Sequence, residues 1–256
     1  MPWTFRRPGS PLPSRIMTSS SKTTWNVLPH GPLEKLSENL WWATGALKGM
    51  SLKRVMAVAK RSDGKLVIHS AIAMEDAEMR ELEALGEPAY LVVPSKHHRL
   101  DAPAYKARYS QMKVFAPRGS RDAVASVVAV DGTYEDYPAD PAVTLETLRG
   151  MKEREGAMIV KSTDGTTVVL NDAVFNMDAK KDVLGYLFTT VMGSAPGPRV
   201  SRLAKLALIS DRAELKTDLE RYARLPDLVR LMVAHEKVAH GADAPAALRE
   251  AIAYLA

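Results

Sequence analysis

His97 and His98 stand side by side in VPSKHHRLDAPAY, residues 93 to 105, directly after the apolar run AYLVV. Asp172 follows a second apolar run, TTVVLN, and His235 ends a third, LVRLMVAH. Each apolar run reads as a buried strand, and a residue just past a strand end is held by a rigid element yet free to reach a cleft. Three strand ends thus offer imidazole, carboxylate and imidazole. With no cysteine in the chain, any metal must use His, Asp or Glu. A mixed His and Asp set suits zinc, iron or manganese and leaves a position for a water, which such an ion turns into a nucleophile. Taken singly, each His is more often a hydrogen-bonded core or surface group; the reading rests on the three together.

Two cations near these residues are candidates for holding an anionic small-molecule substrate. Lys96 precedes the histidine pair, and Arg199 closes the loop GSAPGPR with Arg202 beside it. Other motifs fall away. HEKVAH places its second His five residues after its first, roughly 500° around a helix, so the pair cannot chelate from one helical face, and His240 reads as a loop or cap residue. GSAPGPR lacks the Lys-Ser/Thr of a phosphate-binding loop, and no Gly-x-Ser-x-Gly or cysteine nucleophile is present. His69, inside LVIHSAIA, reads as a core histidine.

The elements that must position these groups begin with a meander: LWWATGA, RVMAVAKR and KLVIHSAIA, the last two joined by the turn Ser62-Asp63-Gly64. MEDAEMRELEALG has a helical stripe of Met74, Ala77, Leu82 and Leu85, with Gly86 to stop it. AYLVVPS, APAYKARY, MKVFAP and SRDAVASVV then alternate strand and helix. VTLETLRG, GAMIVKS and TTVVLND read as further strands, the last two joined at Asp164-Gly165. The chain is helical from Ala179 to about Leu225 apart from GSAPGPR, and closes with the strand LVRLMVAH and the helix APAALREAIAYL. The apolar VLGYLFTTVMG reads first as core, with a cover over the cleft or an oligomer face as alternatives, and GTYEDYPADP suits the cleft rim. Two strand-rich halves interleaved with helices imply an α/β fold, a single four-layer αββα sandwich over residues 31 to 256.

Residues 1 to 30 read as a disordered tail, rich in Pro and Ser and without the apolar stretch of a secretory signal; Met17 is an alternative start. Arg6, Arg7, Arg15 and Lys22 in that tail account for all but one of the net charge of +5. A basic footprint on the folded part is absent, so no nucleic acid is expected. No apolar run reaches the roughly 18 residues of a membrane span, and the missing cysteines fit a reducing compartment, so a cytoplasmic protein is expected.

The order of meander, VVPSKHHRLDAPAYKARY, KVFAP, VLNDAVF and a late MVAH resembles the metallo-β-lactamase superfamily, and within it a bacterial and plant family of undefined function. The resemblance covers roughly residues 33 to 256 and implies an αββα sandwich with metal ligands along one edge. The superfamily motif HxHxDH, laid with its last His on His98, reads Val93-Pro94-Ser95-Lys96-His97-His98, and LRGMKEREG lacks the His of the next ligand turn. The resemblance therefore implies loss of the first metal site, with Lys96 near the vacated position. It implies retention of a second, single-ion site of His97, His98, Asp172 and His235. The expected activity is hydrolysis of an ester, lactone, thioester or phosphoester; the alternative is a non-catalytic ligand- or protein-binding relative of the same fold.

Overall fold

The computed structural model describes residues 24 to 255. Strands β2 (Leu40–Leu47), β3 (Met50–Lys60) and β4 (Leu66–His69) form the expected antiparallel meander, and β1 (Glu34–Ser37) adds to its edge along β2. Gly64, at φ +82°, allows the tight β3–β4 turn. Three crossovers follow, in which α1 (Asp76–Leu85), α2 (Ala102–Arg108) and α3 (Arg121–Ala125) connect β4 to β5 (Pro88–Val92), β5 to β6 (Lys113–Ala116) and β6 to β7 (Gly132–Thr133). These pairings are parallel, so the C-terminal ends of β4 and β5 point the same way. The result is a seven-stranded sheet in sequential order.

The second sheet has five strands, ordered β12-β11-β10-β9-β8. It comprises β8 (Val143–Thr147), β9 (Gly156–Ser162), β10 (Gly165–Leu170), β11 (Leu228–Met232) and β12 (Val238–His240). Between β10 and β11 the chain forms α4 (Val183–Tyr186), which continues into a π-helical turn, then a second π-helical segment (Ala204–Leu208) and α5 (Arg212–Ala223). Helix α6 (Asp243–Ala253) ends the described chain. β10 and β11 are parallel, so their C-terminal ends also lie together.

The period-2 alternation of the strands sorts the core into layers. Val55, Ala57 and Ala59 of β3 join Met158 and Val160 of β9 and Val169 of β10 between the two sheets. The alternate residues Met56 and Val58 face α1 and α2 through Met79, Leu82 and Tyr105. Ala157, Ile159, Val168 and Leu170 face α5 and α6 on the opposite outer side. Three apolar layers separated by two sheets define a four-layer αββα sandwich, as the sequence implied. Each large side chain buried this fully contributes about 1.5–3 kcal/mol, so neither sheet can slip by one residue without exposing a whole layer.

Several local expectations change. In α1 the buried stripe is Met79 and Leu82, because the helix starts only at Asp76 and leaves Met74 ahead of it. β1, β7 and β12 were not legible: all three are sheet edges, and their sequences EKLS, GT and VAH carry too little apolar pattern to mark a strand. His240 is the last residue of β12 rather than a loop or cap residue. The apolar VLGYLFTTVMG is not core. Val183 is 84% exposed, and Leu184, Tyr186, Leu187 and Val191 are exposed with it. GTYEDYPADP does not reach the cleft; Tyr134 and Tyr137 pack between the sheets, and Asp140 caps the β3–β4 turn through the Ser62 backbone N–H. The packed chain also starts before residue 31, since the Trp25 indole donates to the Met74 carbonyl at 3.0 Å and stacks near Tyr105. The tail residues before Thr24 lie outside the described residues.

Candidate metal centre

The C-terminal ends of β4, β5, β10 and β11 converge on one edge of the sandwich, and the chemistry found in the sequence gathers there. The chain leaves β5 through Val93 and Pro94 and turns at Ser95, whose hydroxyl accepts the His97 backbone N–H, to present His97 and His98. β10 ends at Leu170 and delivers Asp172 two residues later; β11 ends at Met232 and delivers His235. His98 Nε2 lies 3.2 Å from Asp172 Oδ1, and His235 Nε2 lies 3.7 Å from the same oxygen. One ligand atom from each residue falls within 4.8 Å of the others, close enough to share an ion. All three residues are at most 9% exposed.

The outer nitrogens of both rings are already assigned. His235 Nδ1 sits 2.9 Å from the Lys53 carbonyl of β3, a partner that can only accept, so Nδ1 carries a proton, and in the neutral ring Nε2 is the lone pair left for an ion. His98 Nδ1 is 3.2 Å from the Ser70 hydroxyl. Donation of the outer N–H to an oxygen is the arrangement that orients metal-binding imidazoles. Ser70 itself stands at φ +56°, in the left-handed region unusual for a residue with a side chain, immediately after β4. Its N–H donates to Val92 at 3.0 Å, which ties this strained residue to β5.

Electrostatics separate the acids of the site. Burial would push the Asp172 carboxyl up, yet the charge and hydrogen bonding of His98 and His235 outweigh it and hold the carboxyl well below the usual range. Glu155, 1% exposed, goes the other way: burial, then the Asp172 charge, raises it well above the usual range. Asn171 links Glu155 to the loop after β5, its amide donating to Glu155 Oε1 at 3.4 Å and to Ser95 Oγ at 3.3 Å. His69 is a core residue; burial first, and then His98, lowers its pKa to about 3. His97 lines the same cavity as the three clustered residues but is not among the atoms that meet within 4.8 Å. Burial also lowers its pKa, against the pull of Asp172, and leaves it neutral at pH 7.

The cluster opens into a cavity of about 600 Å³. Lys96 lines it; Arg199 does not. The Arg199 guanidinium instead stacks 4.7 Å from the Tyr254 ring centroid and donates to the Tyr254 hydroxyl, because its backbone is paired with Phe175 on the far side of the loop. Two cations that sequence reasoning missed take part. Arg54 lines the cavity while paired with buried Asp101 at 2.9 Å, and Arg154 lines it from the turn before β9. Glu155, Ser70 and the Lys53 carbonyl were missed as well. A buried acid in KEREG, flanked by charged residues, has no signature that separates it from a solvated run, and a backbone carbonyl has none at all.

What these groups can do together is hold one divalent cation. Two imidazole lone pairs and an ionised carboxylate form a neutral-plus-anionic donor set, buried and pre-oriented, which fits zinc, iron or manganese.

No family model matches the chain, and no curated protein matches it in sequence. Solved structures do match. The DIM-1 metallo-β-lactamase, from a crystal exposed to ceftazidime, superposes with a TM-score of 0.60 at 12% identity, over 90% of this chain and 98% of that one. The metallo-β-lactamase from Pontibacter korlensis gives a TM-score of 0.57 at 12% identity, over 87% and 97% of the two chains. Identity this low carries the architecture and not the activity. With its two sheets, its outer helices and its strand ends gathered at one edge, the chain has the metallo-β-lactamase fold.

Proposed function

We propose that this protein is a hydrolase that uses a single divalent ion, held by His98, Asp172 and His235, against an ester, lactone, thioester or phosphoester of a small molecule. The observation that carries the reading is the convergence of three ligand atoms within 4.8 Å, with the His235 lone pair freed by the Lys53 carbonyl. When bound, the ion supplies Lewis acidity and acidifies a water. The chain's own residues do the rest. The two imidazoles favour the ionised form of Asp172, while burial and the Asp172 charge favour the protonated form of Glu155, which limits the buried negative charge in the pocket. His97, neutral and in the same cavity, is placed to accept a proton from the attacking water. Lys96 offers positive charge to the oxygen that develops negative charge. Water adds across the acyl or phosphoryl bond, and the products are an acid and an alcohol or thiol.

A specific observation favours a second reading. His98 Nε2 and Asp172 Oδ1 already meet at 3.2 Å, and a doubly protonated His235 would face the same oxygen at 3.7 Å, so the buried triad can stand without an ion. A binding protein of the same fold needs no more. Elemental mass spectrometry of the purified chain, beside a His98→Ala/Asp172→Ala variant, separates the two. The hydrolase reading expects close to one ion per chain, lost in the variant. A wild type that stays metal-free after incubation with zinc, manganese or iron refutes it and leaves the binding reading.

A further inference from the structure

The wall of the cavity is apolar well beyond what the triad needs. Leu47 and Leu52 come from the β2–β3 hairpin, and Phe188, Met192, Leu203 and Leu208 come from the chain on either side of GSAPGPR. Apolar wall stabilises a ligand only in proportion to the apolar surface the ligand brings. A small polar substrate would leave most of this cavity unused.

The charge around the same cavity has one sign apart from Asp172. Arg54 is neutralised by Asp101, but neither the Lys96 ammonium nor the Arg154 guanidinium has a carboxylate partner among the described residues. Both line the cavity that holds the triad.

The segment that supplies half of the wall is apolar on its outside too. All but two of the exposed large apolar side chains among the described residues lie between Val183 and Leu206, with Leu206 itself 83% exposed. Leu203, 40% exposed and lining the cavity, belongs to both surfaces and marks the rim. A chain entering there would meet apolar surface throughout.

We infer that the cavity takes an anionic amphiphile. An unbranched apolar chain lies along Leu52, Phe188, Met192 and Leu208, and a carboxylate or phosphate group sits at Lys96 and Arg154. Binding of this class stands on the cavity alone; only the cleavage of an acyl ester or thioester of that class rests on the hydrolase reading.

The test is calorimetric titration of the full chain, metal-loaded and chelator-treated, with octanoate, decanoate and dodecanoate, each below its critical micelle concentration. Binding is expected in both forms, tightening about fourfold for each added CH₂ that is fully buried. Dodecyltrimethylammonium should bind at least about tenfold more weakly than dodecanoate, given the like charge of the mouth. A Lys96→Ala/Arg154→Ala variant should weaken dodecanoate about tenfold and leave dodecanol unchanged. Ala207→Trp, introduced at an exposed residue of the wall, should weaken both by filling the cavity. Affinity independent of chain length, equal affinity for the cationic surfactant, or wild-type binding by Ala207→Trp overturns the inference. A wild type that takes up no zinc, manganese or iron yet still binds dodecanoate overturns the hydrolase reading alone, whereas a metal-loaded protein that binds none of the probes overturns the amphiphile alone.

Discussion

Two hydrogen bonds decide what the histidines can do. The Lys53 carbonyl and the Ser70 hydroxyl occupy the outer nitrogens of His235 and His98, so both rings aim Nε2 at Asp172. Removing such a partner costs a metal site about 10- to 100-fold in affinity. Ser70→Ala should therefore weaken the ion by about tenfold, measured by competition with a chromogenic chelator, while circular dichroism stays that of the wild type. Unchanged affinity would show that the Ser70 contact does not orient the ring. At this scale the sequence was informative wherever a side chain with its own chemistry followed an apolar strand, as at His98, Asp172 and His235. It was silent on Ser70 and Lys53, because a hydroxyl and a main-chain oxygen gain their roles only from what lies opposite them. Arg199 shows the reverse case: a cation beside a glycine-rich loop looked available, and a Tyr254 ring distant in sequence captured it.

The elements are joined by polar stitching as well as by apolar layers. In the β1–β2 turn, Glu38 accepts from Ser37 Oγ at 2.5 Å and from the Thr163 N–H and hydroxyl at 2.7 and 2.9 Å, across to the β9–β10 turn. The Asn39 amide donates to the Lys161 carbonyl at 2.9 Å beside it. These turns belong to different sheets, so the bonds fix how one sheet sits over the other. The bond from Ser37 is the main reason that the Glu38 pKa falls from 4.5 to about 2. The folded chain thus keeps this carboxylate ionised where the unfolded chain has protonated it. Its contribution is full above pH 4.5 and is lost as pH falls toward 2. Glu38→Gln should lower stability at pH 7 by less than about 1 kcal/mol, since the group is exposed, and the gap from wild type should narrow below pH 4.5 and close near pH 2 in urea denaturation. A gap that persists at low pH would mean that the carboxylate charge is not what the turn uses. The strands of these turns were legible from their alternation, but β1 was not, since an edge strand with one polar face carries half the pattern.

Across the whole molecule, the candidate centre is the place where the two sheets are tied. Asp172 and His235 leave one sheet, His98 leaves the other, and the Val55 N–H donates to the Ala234 carbonyl at 2.9 Å between them. An ion held there binds only the folded chain. Zinc at 100 times its dissociation constant should add about 2.7 kcal/mol of stability. Thermal unfolding followed by calorimetry should show the rise in Tm for the wild type and none for His98→Ala; an equal rise in both would place the ion elsewhere. The described residues contain no helix long and apolar enough to cross a membrane. The strands and the ligand types could be read along the chain, because apolar runs record burial locally: Val55 to Ala59 are apolar without a break, the mark of a strand covered on both faces. Which strand ends meet, where the cations go and which apolar segment stays outside are properties of the folded chain. The apolar run after Val183 reads like core in any window, yet it covers a cavity and leaves its other side uncovered, because burial of a segment depends on surfaces supplied by residues more than a hundred positions away, such as Leu47 and Leu52.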